Sequence, residues 1–130
     1  MTENEKIEYW LDISQYDLET ADAMLQAKRF LYVGFMCHQA IEKILKAYYV
    51  FAQNETPPYT HNLTVLAEKA NLYDFFAEEQ KNFIDFLEPL NIKARYPTYK
   101  EQIYKMINEE KAREILNKTR ELYLWIKKML

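Results

Sequence analysis

Between Cys37 and Ala47 the chain reads Cys-His-Gln-Ala-Ile-Glu-Lys-Ile-Leu-Lys-Ala, and a helix through it has too few solvent-facing positions for its polar residues. At roughly 100° per residue, Val33, Cys37, Ala40, Ile41, Ile44, Ala47, Tyr48 and Phe51 fall on one broad apolar face. The opposite side, which should be wet, carries Phe35, Tyr49 and Val50, with His38, Gln39, Glu42, Lys43 and Lys46 among them. A helix apolar nearly all round is covered on several sides, and buried charge has to be paired or used. The segment is therefore the middle of a bundle with a subunit interface, or it lines a site.

The rest of the chain suits such a bundle. One Gly and four Pro in 130 residues leave little to interrupt helices, and that length builds a core without disulfides or metal, as a single domain over residues 1–130. Ile7, Leu11, Ser14, Leu18, Ala21 and Leu25 alternate 4-3 spacing in a first helix from about Asn4 to Lys28, with Asp17 beside the stripe. The second helix runs from about Phe30 to Gln53, and Gly34 near its start is read as a mild local weakness. Pro57-Pro58 breaks the chain. Thr60 then caps a short helix from His61 to about Ala70, ended by Asn71. A fourth helix spans Tyr73 to Glu88, and Pro89 to about Thr98 is irregular. The last helix begins at Asn108, or earlier near Tyr99, and repeats the 3-4 stripe at Ala112, Ile115, Thr119, Leu122, Ile126 and Met129. No period-two strand pattern survives. The expectation is all-α: an antiparallel up-and-down bundle of four long helices plus one short one.

Charge and cysteine usage narrow the function classes. A net charge of -3 attracts no nucleic acid in bulk, so DNA is not an expected partner and any phosphate contact needs a local basic cluster. The single Cys37 excludes an intramolecular disulfide and suits a reducing cytoplasm. The polar start is followed by no long apolar run, so neither signal peptide nor membrane span is expected. Two His without a ligand-spaced carboxylate cluster fall short of a metal site, and no cofactor is implied. Cys37 on the core face is a poor nucleophile.

What remains is a set of polar residues at helix spacing and in loops. His38 and Glu42, Glu42 and Lys46, and Gln39 and Lys43 are each one turn apart; an ordinary i,i+4 ion pair with an edge histidine accounts for them alone. His61 near a helix start is poorly placed when charged, which favours a neutral, hydrogen-bonding ring. Ala94-Arg95-Tyr96-Pro97 sets a guanidinium beside an aromatic ring in a turn between Lys93 and Lys100. Such a loop can hold a phosphate with a Tyr face for a base, or pair its Arg with Glu42 or Asp17.

The order Asp17-Leu18, His38-Gln39-Ala40-x-Glu42-Lys43-x-Leu45-Lys46-Ala47, Thr60-His61-Asn62-Leu63 and Ala94-Arg95-Tyr96-Pro97 resembles the HEPN domain family from about Ile7 to Leu130, the second block being its most specific part. The resemblance implies a helical bundle that dimerises, with a nucleotide or RNA site near the second helix and the loop before the last one. It also implies a minimal nucleotidyltransferase partner in a toxin–antitoxin pair. On that basis Arg95 and Lys46 would meet phosphate, His38 and His61 would supply neutral hydrogen bonds, Tyr96 would line the pocket, and Glu42 and Asp17 would orient the basic groups. One departure matters. Relatives that cleave RNA without metal carry an Arg followed, after four to six residues, by a His; here those positions after Arg95 hold Lys100, Glu101 and Gln102. Without that imidazole no obvious general base is present, and ribonuclease activity is not carried over. Two other readings stand beside the non-catalytic one: a ribonuclease toxin using Arg95 with His38 or His61 as an unconventional base, and a purely structural interaction module.

Overall fold

The computed structural model describes residues 1–91 and 97–130. Every regular element among them is helical: α1 (Glu3–Gln26), α2 (Phe30–Gln53), α3 (Leu63–Lys69), α4 (Glu78–Leu87), α5 (Pro97–Met106) and α6 (Glu109–Lys127), with 3-10 turns at Tyr73–Phe75 and Glu88–Leu90. No helix is long and apolar enough to cross a membrane among the described residues.

The all-α class holds, but the division of the chain differs from the periodicity reading. Three helices are long, and α4 is a ten-residue piece between two 3-10 turns. Phe76 and Ala77 are extended, with ψ of 137° and 159°, so the helix expected from Tyr73 restarts at Glu78, where Gln80 Oε1 accepts from Ala77 N at 2.8 Å. The residues from Tyr99 onward, offered as an earlier start of the last helix, belong instead to a separate helix, α5. It is separate from α6 because Asn108 is extended (ψ -177°) and its Oδ1 caps the new helix through Lys111 N at 2.8 Å.

Helix α1 starts on a capping box between Thr2 and Glu5. It ends where Lys28 turns left-handed (φ 61°) and Arg29 N reaches back to Met24 O at 2.8 Å. That three-residue connection folds α2 back along α1, and this hairpin is the most extensive packing in the molecule. The 4-3 stripe of α1 faces α2, and its polar member is satisfied: Ser14 Oγ, fully buried, donates to Ala40 O at 2.6 Å.

Helix α2 packs against all five other helices, and more than half of its 24 residues are buried. The coverage on several sides expected from its composition is therefore met inside one chain. Val50, read as outward-facing, is fully buried, while Phe51, read as core, is 45% exposed. Gly34 is also not a weak point. A Cβ there would lie 3.0 Å from Leu90 Cδ1 and 3.2 Å from Ile107 Cδ1, so the missing side chain is the seat for two buried residues.

Candidate functional site

The polar residues of α2 form one continuous buried network. His38, Gln39, Glu42 and Lys46 are at most 7% exposed, although their side chains carry two formal charges and an imidazole. Burying them is tolerable because each finds a partner.

One branch is directional. Lys43 Nζ donates to Gln39 Oε1 at 3.0 Å, so the Gln39 amide nitrogen is turned toward His38 Nδ1, at 3.3 Å. His38 Nδ1 therefore accepts, and the ring is the tautomer whose Nε2–H donates to Glu88 Oε2 at 3.2 Å. Glu88 also receives Leu63 N on Oε1 at 2.9 Å, which ties the start of α3 to the end of α4. Asp17 Oδ2 lies 3.7 Å from Lys43 Nζ and brings α1 into the network.

The other branch centres on Glu42. Its carboxylate accepts from Lys46 Nζ at 3.1 Å and His61 Nδ1 at 3.0 Å, with Lys43 Nζ 3.8 Å away. Burial is the largest single influence on this carboxyl and would raise its pKa. The Lys46 and Lys43 ammoniums, with hydrogen bonds from His61 and Lys46, together outweigh burial and hold it below the usual value. Lys46 Nζ also sits 5.2 Å from the centre of the Trp10 ring.

His61 reaches Glu42 from outside a helix. The expected cap moved by two residues: Asn62 Oδ1 accepts from Val65 N at 2.9 Å, and Thr60 Oγ1 accepts instead from Asn62 N at 3.1 Å. Helix α3 therefore begins at Leu63, and His61 lies in the preceding turn with its side chain half exposed. Tyr59, 95% exposed, places its ring 5.9 Å from the His61 ring at 62°.

Of the residues read as a site, Asp17, His38, Glu42, Lys46 and His61 are thus joined. Arg95 and Tyr96 lie outside the described residues. His38 and Glu42 are almost wholly enclosed, so in this arrangement they position their neighbours, and His61 is the member that opens to solvent. His38 has both ring nitrogens engaged and no free lone pair for base chemistry. Sequence reasoning paired Gln39 with Lys43 without giving them a place in the site, and it missed Glu88, Trp10 and Tyr59 as parts of this assembly. For Gln39 and Lys43 the i,i+4 spacing was a usable signal. For Glu88, fifty residues from His38, there was none.

Cavities among the described residues lie elsewhere. A groove of about 850 Å³ runs between α4 and α6 over Phe83, Phe86, Ile115, Leu122 and Trp125. A smaller one, about 280 Å³, is lined by Lys28, Arg29, Tyr32 and Tyr104. Neither includes His38, Glu42, Lys46 or His61. Cys37 is fully buried, and burial pushes its thiol up to about 12, so it stays protonated. No group of His, Cys, Asp and Glu among the described residues is arranged to hold a metal ion.

Among solved structures the chain is similar to the crystal structure of TT1696 from Thermus thermophilus, with a TM-score of 0.80. The two are 18% identical, covering 96% of this chain and 98% of that one, a likeness that shows the fold. No curated protein sequence matches. The model of the HEPN domain matches residues 7–129, nearly the whole chain, including every described motif just assembled around Glu42; the chain belongs to the HEPN domain family.

Proposed function

We infer that this HEPN domain binds a nucleotide-like or phosphate-bearing ligand at the surface end of the Glu42 network, without catalysis of its own. In this reading it acts in the cytoplasm beside a minimal nucleotidyltransferase in a toxin–antitoxin-like pair. The observation that carries the binding reading is the buried Glu42–Lys46 pair extended outward to a half-exposed His61. A chain gains little stability from burying such a pair where apolar residues would serve, so its hydrogen bond to a surface imidazole favours a role in binding. The nucleotidyltransferase partner is supported by family membership. The test is a nucleotide titration of Arg95→Ala. Binding should weaken by about 1–3 kcal/mol, the usual loss of a charge-assisted hydrogen bond, with the melting temperature nearly unchanged. Intact binding together with a lower melting temperature would make Arg95 a structural ion-pair partner and remove the reading.

Self-association belongs to the same proposal, on a different face from the one its sequence suggested. Val50 is buried, and Phe35 and Tyr49 are half-buried, so α2 has little apolar surface left to offer. The α4–α6 groove has an apolar floor and a charged rim on α6 that reads Lys111, Glu114, Lys118, Glu121. Read backwards, every sign in that rim is inverted. A second copy lying antiparallel would set Lys111 opposite the partner's Glu121 and Glu114 opposite the partner's Lys118, all unlike pairs. Sedimentation should show a dimer at roughly tens of micromolar, weakened by Lys118→Glu. A monomer at that concentration removes this part of the proposal.

A further inference from the structure

The surface end of the network has a definite chemical preference. Glu42 carries a charged carboxylate that takes only donors, so His61 Nδ1, 3.0 Å from Oε1, bears the hydrogen. In the neutral imidazole, Nε2 is then a hydrogen-bond acceptor on the side of the ring away from Glu42. Among the described residues it has no partner, and the side chain is half exposed. A fixed acceptor at the surface suits a ligand that donates.

The nearby cations do not alter that preference. Lys46 is held on Glu42 and over Trp10, and Lys43 on Gln39 near Asp17.

An aromatic face lies alongside. Tyr59 is 95% exposed, on a turn stiffened by Pro57-Pro58 and closed by Thr60 N donating to Pro58 O at 3.0 Å. Its ring is 5.9 Å from that of His61, at 62°, so the two side chains are neighbours on one surface. Exposure of so large a ring on a stiff turn buries no apolar surface in the free protein, whereas a stacked base would cover it.

We propose that Tyr59 and His61 form the nucleoside end of the ligand site, the base stacking on Tyr59 and a ribose hydroxyl donating to His61 Nε2. The domain accordingly prefers ribonucleotides to their deoxy counterparts. This rests on the nucleotide reading above and narrows it to a sugar-reading subsite.

The test is calorimetric titration of the full chain at mildly alkaline pH. The probes are the four ribonucleoside 5′-monophosphates and their 2′-deoxy and 3′-deoxy forms. At least one ribonucleotide should bind about tenfold tighter than one of its deoxy forms, the worth of one hydrogen bond. His61→Ala should abolish that ratio, and Tyr59→Ala should weaken ribo and deoxy forms alike by about tenfold. His61 and Tyr59 are half or more exposed, so both variants should keep the helical circular-dichroism spectrum. Equal affinities in the unmodified chain, or a ratio that survives His61→Ala, would overturn the subsite and leave nucleotide binding standing. No binding of any probe would overturn both.

Discussion

Replacing Glu42 by alanine will lower the unfolding free energy by about 3–5 kcal/mol, the usual cost of stranding one partner of a buried ion pair. Glu42 is 1% exposed and Lys46 is 7% exposed, so in the variant the Lys46 ammonium loses its carboxylate where water cannot replace it. Much of that loss should return in the double variant Glu42→Leu, Lys46→Met, which removes both charges together and fills similar volume. Urea unfolding of the two single variants and the double gives the coupling directly. A cost below about 1 kcal/mol for Glu42→Ala would mean the pair is effectively solvated. The pH dependence has a definite sign. The folded-state pKa of Glu42 lies below its ordinary value of 4.5, so its contribution is complete above 4.5 and is lost as pH falls through the depressed folded value. The stability gap between the unmodified chain and Glu42→Ala should therefore narrow on acidification below 4.5 and stay constant between neutrality and about pH 6.

Gly34→Leu will destabilise the fold by about 1–3 kcal/mol, the ordinary cost of overpacking a filled core, and will loosen α5. A Cβ at this position already meets Leu90 Cδ1 at 3.0 Å and Ile107 Cδ1 at 3.2 Å. Leu90 is 1% and Ile107 is 4% exposed, so neither has room to retreat. These two residues flank the segment that contains Arg95, one before it and one after, and both rest on the same glycine. Displacing them should raise amide exchange across Pro97–Met106 more than in α1 and reduce nucleotide affinity together with stability. Gly34→Ala should be nearly neutral: a methyl group asks for a shift of a few tenths of an ångström by two side-chain ends, and replacing glycine in a helix returns about 1 kcal/mol. A Gly34→Leu chain as stable as the original would show that the seat is not tight.

Which elements were legible in the pattern follows the range of the interactions that form them. The α1 stripe, the α2 span, the Asn108 cap and the left-handed Asn71 (φ 58°) were legible, because each depends on contacts within a few residues. The split of the fourth helix and the separate α5 were not. A 3.6-residue period continues through Phe76 and Ala77, and only packing decides that these residues are extended there. The cap of α3 was missed by two positions because Thr60, His61 and Asn62 contain two good capping residues, and Asn62 is the one whose oxygen meets a helical N–H.

The site divides in the same way. That α2 had to bury paired polar groups was determined by its own composition, since no rotation of one helix exposes His38, Gln39, Glu42 and Lys46 while hiding its many apolar neighbours. Which groups pair with them was decided by tertiary structure. Asp17 arrives from α1, His61 from the turn after the prolines, and Glu88 from the end of α4. Phe35, Tyr49 and Val50 looked equally available for a second subunit, yet Val50 went wholly into the core. Periodicity tells how much of a helix must be covered. It does not tell by what, because covering is a property of surfaces brought together from distant parts of the chain, and a carboxylate such as Glu88 carries no local mark of the imidazole it will meet.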